Sequence, residues 1–181
     1  TGARKSLIQR SWETACDVPS VDGIFVATDD QRIADAVHNF GGQVIMTSQN
    51  CRNGTERVAE AVQKLPAPAD IVVNLQGDAP LTPPWFITAL IEEMKGDSTV
   101  EMATPVLRCD GLTLNMFRED RRNGRVGCTT AVFDQNWDAL YFSKEVLPFT
   151  DKTYADDEQT PVYHHVGAYA YRPTSLARYI R

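Results

Sequence analysis

Hydrophobic residues recur along the first half of the chain in short blocks whose spacing alternates between helical and extended. Apolar positions three and four residues apart over residues 5–16 predict a helix, and the continuous apolar run 23–28 predicts a buried parallel strand. The same alternation then predicts helix 30–40, strand 43–47, helix 54–65, strand 70–75 and helix 83–94. Strands and helices in this order indicate right-handed crossovers and an α/β, Rossmann-like three-layer fold with a mostly parallel sheet.

The pattern changes in the second half of the chain. Residues 100–107, 125–134 and 139–142 are typical of strands without intervening helices, so we expect an antiparallel or mixed extension of the sheet. The polar, acidic residues 151–160 predict a surface loop, residues 162–171 predict a last strand, and Pro173 begins a helix. A chain of 181 residues is long enough for one compact domain with its own core, and we expect a single unit over residues 1–181.

Composition and charge narrow the classes of partner. The formal net charge of -6, without a clustered basic face, argues against nucleic acid but leaves small anionic substrates open. No apolar run approaches the roughly 20 residues that cross a bilayer, which argues against a membrane partner. The start of the sequence has no apolar stretch resembling a secretion signal, so we predict a cytoplasmic location. The four cysteines form no CxxC pair, so we predict reduced thiols.

One candidate site follows the strand predicted at 70–75. Ligands of open α/β sheets bind beyond the carboxyl ends of the strands, where Gln76, Gly77 and Asp78 lie. A carboxylate at such a position can hold Mg²⁺ together with substrate phosphates. The alternative is that Asp78 caps a turn before the next helix, and position alone does not separate the two interpretations.

A second candidate site is the start of the helix predicted at 54–65. Asn53, Gly54 and Thr55 place free backbone N–H groups at a helix N-terminus, and Arg57 could add a charged fork for an anion. Ordinary capping by Asn53 or Thr55, with an exposed Arg57, explains the same residues equally well. The run Thr28-Asp29-Asp30 has a similar ambiguity, and we favour a helix cap there.

A third group lies near the end of the chain. His165 and Tyr169 are four residues apart on the predicted strand, so they share one face, and Gly167 leaves space between them. A satisfied structural pair is the alternative. Lys144 is a candidate anion contact, although a surface lysine is the simpler interpretation.

In combination, six segments resemble the 3-deoxy-manno-octulosonate cytidylyltransferases, also called CMP-Kdo synthetases, over nearly the whole chain. The segments are VATDDQRIADAV (26–37), FGGQVIMTS (40–48), NGTERVAEAV (53–62), IVVNLQGDAPL (71–81), ALYFSKEVLPF (139–149) and HHVGAYAYRPTSL (164–176). The resemblance implies an enzyme that transfers CMP from CTP to a 3-deoxy-2-keto sugar acid with Mg²⁺, releasing pyrophosphate, for lipopolysaccharide or capsule biosynthesis.

The same resemblance assigns roles to residues. Asp78 resembles the metal ligand and Gln76 a contact that bridges nucleotide and sugar. The resemblance places the nucleotide-proximal loop at Asn53, Gly54, Thr55 and Arg57, and the sugar-binding positions at Lys144, His165 and Tyr169. It further implies a homodimer with an arm at residues 139–154. The apolar residues of this arm could instead pack beneath the acidic loop.

Some positions depart from the family pattern. Ala79 replaces an acid in the usual QGDEP, and residues 124–133 (GRVGCTTAVF) differ from the common NxVKVV-like run, which leaves the sugar acid open. The family's basic N-terminal loop would precede Thr1 and its second metal-binding aspartate would follow Arg181, so we expect residues 1–181 alone to be inactive. Alternative functions are a CMP-nonulosonate or other sugar nucleotidyltransferase, and a non-catalytic binding module.

Overall fold

The computed structural model describes residues 5–19 and 21–180. In chain order the elements are α1 (Leu7–Cys16), β1 (Phe25–Thr28), α2 (Gln31–Asn39), β2 (Gln43–Met46), α3 (Gly54–Val62), β3 (Val72–Leu75), α4 (Pro84–Gly96), β4 (Met102–Ala103), β5 (Val106–Asp110), α5 (Gly111–Arg122), β6 (Thr130–Phe133), β7 (Ala139–Ser143), β8 (Gln159–His165), β9 (Ala168–Tyr171) and α6 (Pro173–Tyr179). They form two compact units, one up to Thr104 and again from Gly167, the other comprising Pro105–Val166. A single nucleotidyltransferase domain over the chain stays a prediction.

Local sequence signals account for the helices of the first unit. Asp30 and Asn53 cap α2 and α3, accepting hydrogen bonds from the backbone N–H groups of Arg32 and Glu56 at 2.8 and 2.9 Å. These caps satisfy donors that a helix start leaves unpaired. The favoured interpretation of the Thr28–Asp30 run as a cap is therefore confirmed for Asp30.

The strands of the first unit form two sheets. β1 and β2 pair in parallel, as the alternation of strands and helices predicts. β9, however, lies between β3 and β4 and is antiparallel to both. Among the described strands, β1 with β2 is thus the one parallel pair, and the predicted mostly parallel sheet is present only in that pair. Alanines 168 and 170 of β9 have small side chains, which lets Leu90 and Met94 of α4 pack closely over the sheet.

The strand predicted at 162–171 is interrupted. Its first part belongs to β8 in the second unit, and the remainder is β9 in the first unit. Val166 lies outside both strands, and its backbone N–H donates to the carbonyl of Pro105 at 3.0 Å. The sequence pattern does not reveal such a break, because the residues on both sides of it are extended.

The second unit is an antiparallel sheet of four strands, in the order β5-β8-β6-β7, and a helix. The expected antiparallel pairing is confirmed, but these strands form a sheet of their own and do not extend the first sheet, and the expectation of no helix between them is wrong. Helix α5 begins after Asp110, whose carboxylate accepts from the N–H of Thr113 at 2.8 Å, and it buries Leu114 against Val162. Gly111 is required at its start, because a Cβ there would lie 2.0 Å from the carbonyl oxygen of Ala155.

None of the helices in the described ranges 5–19 and 21–180 has the length and apolar character needed to cross a membrane.

Candidate functional site

The first turn of α3 is fixed to the carboxyl ends of β1 and β2. Nη2 of Arg57 lies 3.2 Å from Oδ2 of Asp29, directly after β1. Its Nη1 donates to the hydroxyl of Thr47, directly after β2, at 2.6 Å. Arg57 is therefore not the exposed arginine of the capping interpretation, since its guanidinium joins three elements at the edge where a ligand of this sheet is expected.

The residue that caps α3 is itself held by α6. Asn53 accepts from the N–H of Glu56 through Oδ1 and donates from Nδ2 to the hydroxyl oxygen of Tyr179 at 3.2 Å. Thr55 hydrogen-bonds the hydroxyl of Tyr171, which is buried, and burial raises the pKa of Tyr171. Capping by Asn53 is thus correct, and the four predicted nucleotide-binding residues at 53–57 share one turn whose side chains are well anchored.

The loop after β3 carries Gln76 and Asp78 at the surface. It forms a turn in which the N–H of Ala79 donates to the carbonyl of Gln76 at 3.1 Å. Ser11 of α1 donates its hydroxyl to the carbonyl of Gly77 at 3.0 Å, which anchors the loop from a second side. The backbone that presents Asp78 is therefore held in place although Asp78 itself is exposed.

Side chains of β3 and β9 extend this edge. Asn74 and Tyr169 are directly opposite in the antiparallel ladder, so they share a face. A Cβ on Gly54 would lie 3.9 Å from Nδ2 of Asn74, and a Cβ on Gly167 would lie 3.4 Å from Nε2 of Gln76. Burial raises the pKa of Tyr169, which keeps its phenol protonated and able to donate.

The side chains at this edge can be compared with the ligands that a metal ion requires. No group of three His, Cys, Asp or Glu side chains with metal-binding geometry occurs within residues 5–19 and 21–180. The carboxylate of Asp78 makes no hydrogen bond or ion pair with other residues in those ranges, so both oxygens face solvent. One exposed carboxylate suits Mg²⁺, which takes one or two protein carboxylates and completes its shell with water and phosphate.

Lys144 and His165 lie together in the second unit. Nζ of Lys144 donates to the hydroxyl of Thr129 at 2.9 Å, and the backbone N–H of His165 donates to the carbonyl of the same threonine at 2.9 Å. The ring of Phe142 packs edge-on against the imidazole of His165, with centroids 4.9 Å apart. The sequence offered no signal for Thr129, because a threonine beside a strand is unremarkable until the strand pairing is known.

His165 and Tyr169 do not share a strand. The prediction of one common face is wrong, because β8 ends at His165 and Tyr169 belongs to β9 in the other unit. The structure therefore divides the predicted residues between the two units. Lys144 and His165 form one set, and the other comprises Asn53, Gly54, Thr55, Arg57, Gln76, Asp78 and Tyr169.

Both adjacent histidines are half-buried, and this gives the unfolding equilibrium a pH dependence. Burial lowers the pKa of His164 and His165 below the ordinary 6.5, with Lys144 adding a repulsive charge in each case. The folded chain then binds fewer protons than the unfolded chain as the pH falls below 6.5, so stability decreases with falling pH.

We expect the free energy of unfolding, measured by urea denaturation, to be lower at about pH 5.5 than at about pH 7.5. Carboxylates with lowered pKa titrate below their ordinary 4.5 and contribute little in this window. The double variant His164→Gln, His165→Gln should show a smaller pH difference. An equal difference in wild type and double variant would contradict the assignment to these histidines.

Comparison with known proteins places the chain in a family. A family model described as cytidylyltransferase matches residues 3–180, so the chain belongs to the cytidylyltransferase family. It is 48% identical over 174 residues to the 3-deoxy-manno-octulosonate cytidylyltransferase of Maricaulis maris (strain MCS10), covering 96% of this chain and 66% of that protein. The enzyme of the same name from Chlamydia trachomatis serovar L2 is 41% identical over 177 residues, with 98% of this chain and 65% of that protein covered. The chain thus spans slightly less than two thirds of the length of these relatives.

Solved structures give the same result for the fold. The structure of CMP:2-keto-3-deoxy-manno-octonic acid synthetase complexed with CTP matches with a TM-score of 0.80 and 33% identity, covering 96% of this chain and 66% of that one. A 4-diphosphocytidyl-2C-methyl-D-erythritol synthase from Anaerococcus prevotii DSM 20548 matches with a TM-score of 0.56 and 14% identity, covering 99% of this chain and 66% of that one. The second match concerns the fold alone. The resemblance of the six segments to this family is confirmed.

Proposed function

We propose that the complete protein transfers CMP from CTP to a 3-deoxy-2-keto sugar acid of the Kdo type, releasing pyrophosphate, in lipopolysaccharide or capsule biosynthesis. The observation that carries the proposal is the first turn of α3, anchored through Arg57 to β1 and β2 in a chain of the cytidylyltransferase family. Its supporting comparison is the 33% identical synthetase, which was solved with CTP.

The nucleotide is bound by the first unit. Backbone N–H groups in the first turn of a helix lack intrahelical acceptors and carry the positive end of the helix dipole, so Gly54 and Thr55 suit a nucleotide oxygen. Gln76 has one donor and one acceptor group at the surface beside Gly167, which suits a contact that bridges nucleotide and sugar. These residues position reactants, which is the main protein contribution to displacement at phosphorus.

Mg²⁺ would be held by Asp78. The ion, when bound, neutralises the charge of phosphate oxygens and of the departing pyrophosphate. The exposed carboxylate on an anchored loop supplies one ligand for it. Other residues of the chain hold the nucleotide in line with the attacking hydroxyl.

In the second unit, Lys144 and His165 bind the sugar acid, and Tyr169 is a candidate sugar contact of the first unit. The ammonium of Lys144 pairs with the carboxylate of the acid, since its hydrogen bond to Thr129 uses one donor and leaves two. Burial lowers the pKa of His165 and favours its neutral imidazole, so the positive charge of this set is that of Lys144. Tyr169 remains protonated and offers a hydroxyl.

The proposal also includes a homodimer that uses the arm at residues 139–154. Leu140 on the edge strand β7 is 65% exposed and Phe149 is 85% exposed. Exposed apolar residues of this size on an edge strand suit burial by a second copy of the chain. Size-exclusion chromatography with light scattering tests this part independently of activity.

The activity is tested by pyrophosphate release from CTP and Mg²⁺ with the complete protein and a panel of acceptors. The panel comprises Kdo, an amino-Kdo, a nonulosonic acid and a 2-keto acid without the sugar chain. We expect release with the Kdo-type acids and none with ATP in place of CTP. Turnover of the nonulosonic acid alone would show that this acid is the acceptor. Absence of turnover with every acceptor would refute the proposed activity.

A further inference from the structure

The side chain of Arg121, in the last turn of α5, forms an extensive network of hydrogen bonds. Its guanidinium donates to three backbone carbonyls: that of Lys144 from Nε, that of Arg125 from Nη1 at 2.6 Å, and that of Cys128 from Nη2 at 2.9 Å. Nη2 also lies 2.8 Å from Sγ of Cys128. The neighbouring Arg122 is exposed and makes no hydrogen bond or ion pair with the rest of the described chain.

The end of α5 turns the chain so that it passes beneath this guanidinium. Gly124 has a φ of +69°, and its N–H donates to the carbonyl of Arg121 at 3.0 Å. The N–H of Arg125 donates to the carbonyl of Asp120 at 2.8 Å. A left-handed glycine is a common end for a helix because it reverses the chain without Cβ strain. The loop 124–129 is thereby directed back toward the side chain of Arg121.

These bonds hold Lys144 at both ends. Its carbonyl is bound by Arg121, and its ammonium is bound by Thr129, the residue after Cys128. Next to it, the hydroxyl of Thr130 donates to the carbonyl of Glu145 at 2.6 Å, which ties the same two segments together again. One arginine from a helix thus connects the loop 124–129 with the segment that carries the lysine.

We infer that Arg121 and Thr129 are positioning residues that preorganise the ammonium of Lys144 for the carboxylate of the sugar acid. The inference rests on the proposed function, in which Lys144 binds that carboxylate. It also gives a structural role to residues 124–133, which differ from the common NxVKVV-like sequence of the family.

The physical basis is the conformational freedom of lysine. A free lysine side chain samples many rotamers, and binding a ligand with it costs the entropy of fixing them. The bond from Arg121 holds the backbone that carries Lys144, and the bond to Thr129 holds its ammonium, so fewer rotamers remain to be fixed when the ligand arrives. The guanidinium suits this arrangement because its donors are spread over three nitrogens, each bound to a different carbonyl, whereas the donors of an ammonium all belong to one nitrogen.

The inference is tested by steady-state kinetics of Arg121→Ala in the complete protein, with Arg122→Ala as the matched control from the same helix turn. We expect Arg121→Ala to raise the KM for the sugar acid by about tenfold, since a charge-assisted network is lost. The KM for CTP should stay within about twofold, because its binding residues lie elsewhere in the chain. Arg122→Ala should match the wild type in both constants.

A second pair of variants guards against a general folding defect in Arg121→Ala. Thr129→Val keeps the shape of the side chain but removes the hydroxyl, and it should raise the KM for the sugar acid by about threefold. Thr129→Ser keeps the hydroxyl and should behave as the wild type. A purely structural role would not distinguish serine from valine in the KM of one substrate alone.

The outcomes separate the inference from the proposed function. Wild-type turnover with an unchanged acceptor KM in both Arg121→Ala and Thr129→Val overturns the inference and leaves the proposed function standing. An equal rise in both KM values for Arg121→Ala, with Thr129→Val unchanged, overturns it as well. Absence of wild-type turnover with every acceptor refutes the proposed function, and the inference with it.

Discussion

Replacing Asp78 with asparagine is expected to lower the kcat for CMP transfer by at least about a hundredfold, the scale of losing several kcal/mol of charge stabilisation. Asp78 is the acidic residue of the anchored loop after β3, and asparagine keeps its shape while removing the charge that attracts Mg²⁺. Pyrophosphate release at saturating CTP and acceptor measures the effect in the complete protein.

The fold should be unaffected by Asp78→Asn. The carboxylate is exposed and makes no bond to the rest of residues 5–19 and 21–180, so its loss leaves no buried group unsatisfied. Urea denaturation should give a wild-type midpoint for the variant. A further expected sign of a metal ligand is that the variant requires a higher Mg²⁺ concentration for half-maximal rate.

Asp70→Asn is the matched control. Asp70 is also exposed and lies at the other end of the same strand, before β3, where no ligand of this sheet is expected. Its replacement should leave the rate and the Mg²⁺ dependence unchanged. If Asp78→Asn retained most of the wild-type kcat at the same Mg²⁺ concentration, Asp78 would not be the metal ligand.

A second large effect is expected on stability, from Leu114→Ala in α5. Leu114 is 0% exposed and packs with Cys109 and Val162 in the core of the second unit. Truncating a fully buried leucine removes apolar contact and leaves a cavity, which costs about 2 to 5 kcal/mol of unfolding free energy. Urea denaturation of the complete protein, followed by circular dichroism, provides the measurement.

Leu112→Ala is the control two residues earlier on the same helix. Leu112 is 51% exposed, so its truncation should change the unfolding free energy by no more than about 0.5 kcal/mol. The contrast depends on the helical geometry of α5. A strand would place residues 112 and 114 on the same face, and similar costs for the two variants would therefore contradict the helix.

The leucine pair also explains why α5 escapes prediction from sequence. Leu112, Leu114 and Met116 alternate with polar residues as in a half-buried strand, and only Leu114 of the three is buried. The decisive features are the cap at Asp110 and the close approach of Gly111 to the Ala155 carbonyl. The cap is visible in the sequence, but the close approach exists only once residues 111 and 155 are brought together.

The strand interrupted at Val166 is a similar case. Residues on both sides of the break are extended and largely apolar, so their pattern is that of one strand. The interruption is decided by pairing, because β8 lies between β5 and β6 whereas β9 lies between β3 and β4. The partners are up to a hundred residues away in sequence, beyond the reach of local periodicity.

The sequence by itself determined the family, the alternation of helices and strands in the first half, and the positions of the loops at Asn53 and Asp78. Helix and strand positions depend on periodicity, caps and turns within a few residues of one another, whereas the anchoring of these two loops by Tyr179 and Ser11 depends on distant segments. Tertiary structure alone decided the antiparallel position of β9, the separation of His165 from Tyr169 and the network of Arg121 with Lys144. Each of these depends on contacts between distant segments, whose partners are chosen by packing and hydrogen bonding in the folded chain.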